Sequence, residues 1–266
     1  MLKKIIRAIF ILSVIIFSSC EDEPVKPDSN TGKLTINFGH KFNEEFIDFD
    51  TLKYINTAGN KLQFSEIQYF ISDVTLHYPD GSEYVIHSWK DIHYIDSDIL
   101  SSLTLYVYDS IPAGLCDSLS FTFGINEEKN QSFLYVNPPE SLMFWPDILG
   151  GGYHYMKLNG KWLTHEGKIS PFNFHLGIGQ IYDNEGNITG FVQNYFRVVI
   201  KNHPFNISKD ESTSVIIMMD VASWFDTPHV WDFDYWGGDI MQKQPAMQTG
   251  CENGRDVFSL EIIIPD

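Results

Sequence analysis

Apolar and polar residues alternate with a period of two along most of this chain. In SLSFTFGI (118–125), Leu119, Phe121, Phe123 and Ile125 fall on one side of an extended strand, and Ser118, Ser120 and Thr122 fall on the other. That is the pattern of a strand with one face buried. FSLEIII (258–264) repeats it with Phe258, Leu260, Ile262 and Ile264. Similar runs are KLTINF (33–38), IQYFISDVTLHY (67–78), LTLYVY (103–108), YHYMKL (153–158), FNFHLGI (172–178), YFRVVI (195–200) and SVIIMMDV (214–221). Turn signals such as YPDGS and YDNEGN separate them. Many short strands joined by polar turns predict an all-β fold, an antiparallel β-sandwich. Helical signals are few, which leaves room for one or two short helices. DVASWF (220–225) offers a single turn with Asp220 as N-cap, and GGDIMQKQPAMQTGCENG (237–254) a short helix interrupted near Pro245. Neither an internal repeat nor a break in composition divides the body, so residues 33–266 read as one domain.

The N-terminus departs from this pattern. Lys3, Lys4 and Arg7 precede a ten-residue apolar run, Ala8 to Phe17, and then small residues ending at Cys20. Ten residues are half of what a spanning helix needs, which makes residues 1–19 a signal peptide. Small residues followed by cysteine resemble a bacterial lipobox, so Cys20 is expected to become the lipidated first residue. Residues 20–32 are acidic, contain proline and lack an apolar face, and read as a flexible tether. Asp22 and Glu23 resemble the acidic export signals of surface lipoproteins in some Gram-negative bacteria. The expected location is the cell envelope, lipid-anchored in the outer membrane and facing either the periplasm or the exterior. Loss of the three basic leader residues takes the formal net charge from −17 to −20. So acidic a body repels phosphate backbones and excludes nucleic acid as a partner.

Cys116 and Cys251 are an even pair in an oxidising compartment. A bridge between them is expected, two buried free thiols being the alternative. In the chain-entropy picture so long a loop would contribute about 4–5 kcal/mol. The chain carries no G-x-S-x-G elbow, P-loop, H-E-x-x-H or C-x-x-C, which sets aside the enzyme classes built on them. No nucleophile–base constellation emerges either, so the protein is not expected to be an enzyme. Of nine histidines, His77, His87, His93, His165, His203 and His229 have contexts typical of surfaces and loops. His40 shares the parity of Leu34, Ile36 and Phe38, and His154 that of Met156 and Leu158, so both point inward. A buried neutral imidazole needs a hydrogen-bond partner or a metal. His175 has the opposite parity to Phe172, Phe174 and Leu176, so alternation puts it on the other face.

Several segments, in order, resemble the methanobactin-associated periplasmic copper-protein (MbnP-like) family. LTINFGHKF is similar to its first strand. DTLKYINTAGNKLQFSEIQYFISDVTLHYPDG, IPAGLCDSLSFTFGINEEKN, LMFWPDILGGGYHYMKLNGKW and FNFHLG are similar to the blocks that follow. The resemblance implies an envelope β-sandwich that binds copper, with zinc as the alternative since imidazole suits both. It also implies a di-haem peroxidase-like envelope partner that oxidises a tryptophan to kynurenine beside the metal. By position, His40 and His175 become expected ligands, with His154 a third candidate, and Trp145 is the residue matched to oxidation. Many relatives read W-x-W where this chain has Trp145-Pro146-Asp147. Gly150, Gly151 and Gly152 allow a sharp turn that swings His154 toward Trp145.

The competing expectation is a metal-free surface sandwich. SWFDTPHVWDFDYWGG places Trp224, Trp231, Tyr235 and Trp236 close together, as in a platform for carbohydrate or a protein partner. The plainer reading of that segment is a loop packed over the sandwich.

Overall fold

The computed structural model describes residues 30–87 and 91–262. The signal peptide, Cys20 and the tether up to residue 29 lie outside the described residues, as does Ile264. The first part of the body forms β1 (Thr31–Phe42), β2 (Glu45–Phe46), β3 (Tyr54–Ile55), β4 (Lys61–His77), β5 (Glu83–Val85), β6 (Ile92–Asp96), β7 (Thr104–Pro112), β8 (Gly114–Cys116) and β9 (Ser118–Phe123). An irregular stretch leads to β10 (Met156–Leu163), β11 (Ile169–Leu176), β12 (Gly179–Tyr182), β13 (Ile188–Val192), β14 (Phe196–Ile200), β15 (Phe205–Ile207) and β16 (Ser212–Asp220). Two short helices, α1 (Phe233–Trp236) and α2 (Gln244–Asn253), precede the final strand β17 (Phe258–Ile262).

Two sheets face each other. One runs β17-β16-β1-β2, with β7 also on β1; the other runs β11-β10-β4-β9-β14, with β3, β5 and β6 also on β4. The pairings are antiparallel except for one: β1 and β16 are parallel, from Lys33 opposite Ser212 to Lys41 opposite Asp220. Side chains of the two inner faces meet in an aromatic core, with Phe258 of β17 against Tyr69, Phe121 and Phe123. Each phenylalanine buried there is worth about 1.5–3 kcal/mol. The apolar set of 119–125 is fully buried as its alternation predicts.

β4 is a different kind of strand. From Ile67 to Ile71 every residue is buried. Its inner face joins the main core, while its outer face is covered by a second cluster in which Phe70 meets Tyr94, Tyr135 and Tyr153. The cover is the irregular segment between β9 and β10, so this sheet is dry on both sides over part of its area.

Of the two helical expectations, the first holds and the second changes in detail. Asp220 caps the single turn Val221–Phe225, its carboxylate accepting from the Ala222 N–H at 3.1 Å. Pro245 begins α2 rather than interrupting it, because proline at the first turn forfeits an N–H that has no partner there. The Cys116–Cys251 bridge is not formed; both thiols are free. Cys116 lies on β8 opposite Phe205, whereas Cys251 lies on α2 and donates to the Asn194 carbonyl at 3.3 Å. Burial pushes the two thiols up, to about 11 and about 12.

Candidate metal centre on the outer face of the larger sheet

Three glycines build the approach to the site. Gly150, Gly151 and Gly152 have φ of 120°, 72° and 76°, the left-handed region that only glycine enters freely. The turn doubles the chain back, so that the Trp145 N–H donates to the Gly152 carbonyl at 2.8 Å and the His154 N–H to the Met143 carbonyl at 2.7 Å. A side chain at Gly152 would collide with Asn130, whose Oδ1 accepts from the Tyr153 N–H at 2.9 Å. The consequence is that Trp145 and His154 end up edge to face, ring centroids 4.6 Å apart. Trp145 is completely buried, and its indole N–H donates to the Leu149 carbonyl at 3.1 Å. Gly177 provides its bed: a Cβ there would lie 2.6 Å from the indole ring.

His175 completes the cluster from β11, its ring 5.1 Å from that of His154 and nearly perpendicular to it. It sits opposite Lys157 of β10, which in turn sits opposite Gln68 of β4. That row forms the outer face of the sheet, in agreement with the parity of His175. His154 reaches the same place by another route. It is 5% exposed, but β10 starts only at Met156, so strand parity does not govern it. The glycine turn does.

Both imidazoles have one nitrogen engaged and one uncommitted. A carbonyl only accepts, so the His154 contact with the Met143 carbonyl at 2.9 Å is an Nδ1–H donor, leaving the lone pair on Nε2. The Asn159 amide is oriented by Glu66, whose carboxylate accepts from Asn159 Nδ2 at 2.8 Å. Asn159 Oδ1 is thus turned toward His175 and accepts from its Nε2–H at 2.8 Å, leaving the lone pair on Nδ1. Burial lowers the His154 pKa to about 3, with help from His175 and Lys157, and the His175 pKa to about 4, with help from Lys157. At neutral pH both rings are therefore uncharged. Two neutral imidazoles, each with its N–H held by the protein, are a donor set that fits copper or zinc, each ring fixed by the kind of outer contact that orients metal-bound histidines.

His40 is not brought to this pair. It lies on β1, 7% exposed, its ring against that of Tyr69 at 5.8 Å. Tyr69 is opposite Met156, the neighbour of Lys157, so it projects from the inner face. The sheet thus separates His40 from His154 and His175. The His40 Nε2 and the Tyr69 hydroxyl are both buried without a hydrogen-bond partner in the protein. Burial takes the His40 pKa down to about 4.

Sequence reasoning did not find Asn159, Glu66 and Lys157, because their relevance depends on cross-strand register. Among the described residues, ligand-type atoms of three side chains also converge within 4.8 Å at His165, Asp232 and Asp234, and at Glu66, Asp96 and Asp98. The Asp96 carboxylate of the second group already accepts from Gln68, Tyr94 and the Asp98 N–H. The aromatic platform is not assembled as expected. Trp224 and Trp231 are fully buried, Trp236 is half-buried against Trp231, and Tyr235 alone of the four is exposed, at 76%. That segment is a packed cover, as its plainer reading holds.

None of the described helices is long and apolar enough to cross a membrane. Comparison with the curated proteins finds no match. Among solved structures, MbnP from Methylosinus trichosporium superposes with a TM-score of 0.56 at 14% identity, over 88% of this chain and 99% of that one. At that identity the likeness is one of fold. A family model described as MbnP matches residues 31–242, most of the chain and all of the site just built. The chain belongs to the MbnP family.

Proposed function

We propose that this protein is a copper-binding envelope protein, a carrier rather than an enzyme, whose cargo ion is held by His154 and His175 beside Trp145. The observation that carries the reading is the pair itself: a buried and a partly buried imidazole, both neutral, with ring centroids 5.1 Å apart, each with its N–H engaged by the protein and one lone pair uncommitted. Membership of a copper-associated family supports the choice of copper over zinc. Met143 and Asn159 hold the rings in their tautomers, and the glycine turn keeps the indole against His154.

Metal analysis of the purified chain after loading with copper at neutral pH tests this. About one ion per chain is expected, lost in His154→Ala and in His175→Ala but retained in His40→Ala. Failure of the wild type to take up stoichiometric copper or zinc sinks the proposal.

The proposal extends to location and partner. Cys20 carries a lipid that holds the body at the envelope, so Cys20→Ser should release it from the membrane fraction. A di-haem peroxidase-like partner, with hydrogen peroxide as oxidant, converts Trp145 to kynurenine: two equivalents of peroxide cleave the indole C2–C3 bond, and hydrolysis releases C2 as formate. Peptide mass analysis of protein from its native envelope should then show a mass gain at Trp145; an unmodified residue there removes that step.

A further inference from the structure

Lys157 shares the outer face with the two imidazoles. It is directly opposite His175 in the β10–β11 ladder, where facing Cβ atoms are about 4.5–5.5 Å apart. Its Nζ donates to the Leu142 carbonyl at 2.6 Å. Leu142 immediately precedes Met143, the residue whose carbonyl fixes His154. The ammonium is therefore tied to backbone within the site instead of swinging into solvent. Its field opposes added positive charge at both His154 and His175. Glu66 on β4 and Asp96 on β6 also act on the ammonium and favour its charged form. Asp239, close to His175, acts in the opposite sense on that ring.

We propose that Lys157 sets the charge selectivity of the paired-imidazole site, favouring a monovalent copper ion over divalent ions. The inference rests on the reading of His154 and His175 as ligands. Imidazole alone does not make the choice, since it accepts copper and zinc alike. A fixed charge does, because Coulomb energy scales with the charge of the incoming ion. Whatever factor the ammonium costs a singly charged ion, it costs the square of that factor to a doubly charged ion in the same place. It also raises the Cu(II)/Cu(I) potential of the site.

The test uses the whole mature chain in low-salt buffer, as wild type, Lys157→Gln, Lys157→Met and Lys157→Arg. Cu(I) affinity is measured by competition with bicinchoninate, and Zn(II) affinity by competition with a chromogenic chelator. Glutamine keeps a donor for the Leu142 carbonyl, methionine keeps the length without charge, and arginine keeps the charge. Both neutral variants should gain at least about fivefold for Cu(I) and about 25-fold for Zn(II), the size of a unit-charge contact at about 4 Å screened as in bulk water. The copper potential should fall by about 40 mV, which is that fivefold difference converted at 59 mV per decade. Arginine should track the wild type. Equal gains for the two ions, or no gain, overturn the role of Lys157 and leave the imidazole site standing. A wild type that binds neither ion overturns both.

Discussion

The two faces of the larger sheet each bury histidine, and they use it differently. Against the inner face, His40 of β1 packs on Tyr69 with one nitrogen lacking a protein partner. On the outer face, His154 and His175 meet each other, and their N–H groups are taken up by the Met143 carbonyl and by Asn159. A pKa lowered by desolvation is common to all three. Burial therefore does not mark a metal site. What sets the outer face apart is that two rings meet, each with one lone pair uncommitted, and that is a property of the pair.

The largest contrast between the faces should appear in copper affinity. His154→Ala or His175→Ala should each lose more than about 100-fold, beyond the range for outer contacts alone, while His40→Ala stays within about threefold of wild type. Competition titration of the four proteins reads this directly, and a large loss in His40→Ala would break the comparison.

Acid stability probes the inner face. The His40 pKa drops from 6.5 to about 4 on folding, so between those values the unfolded chain binds a proton that the folded chain does not. Stability is therefore full above about pH 6.5, falls as pH drops toward 4, and levels off below. His40→Phe should remove up to about 3 kcal/mol of that loss, read from urea midpoints of copper-free protein across the window. A pH profile unchanged by the substitution would mean that His40 is not desolvated as described.

Asn159→Leu attacks the outer face at one remove. It frees the His175 tautomer and leaves Glu66 without its amide, so copper affinity should drop by about 10- to 100-fold with little change in fold. The smallest effect is expected at Tyr235, exposed on the packed cover. Tyr235→Ala should shift stability by no more than about 0.5 kcal/mol and leave copper affinity alone; a marked loss of either would reinstate that segment as a functional surface.

How much of this could be read from the chain depends on how local each determinant is. Strand 118–123 is legible because one face is dry and the other polar, so alternation survives in the residues themselves. β4 loses its alternation where the irregular segment covers it, and that cover is set by tertiary packing. The burial of His154 was anticipated from strand parity, yet the cause is the Gly150–Gly152 turn, which sequence also indicated. Its meeting with Trp145 follows from that turn. The role of Asn159 was out of reach, since nothing in MKLNGKW tells that position 159 will lie beside His175. The separation of His40 from the pair was hidden for the same reason: parity assigns a face within a strand and not the sheet layer it looks into.

The parallel pairing of β1 with β16 has a consequence for how the chain reaches this shape. Residues 33–41 find their partners only at 212–220. Contacts between such distant parts of a chain slow folding, because loop closure must precede the interactions that reward it. During synthesis the first strand emerges early and must wait, with that edge unpaired, for nearly the whole body to follow. An unpaired strand edge is a template for aggregation. A truncation ending before residue 212 would therefore lack the strand that β1 needs, and the demand for protection from chaperones should be greatest over that interval.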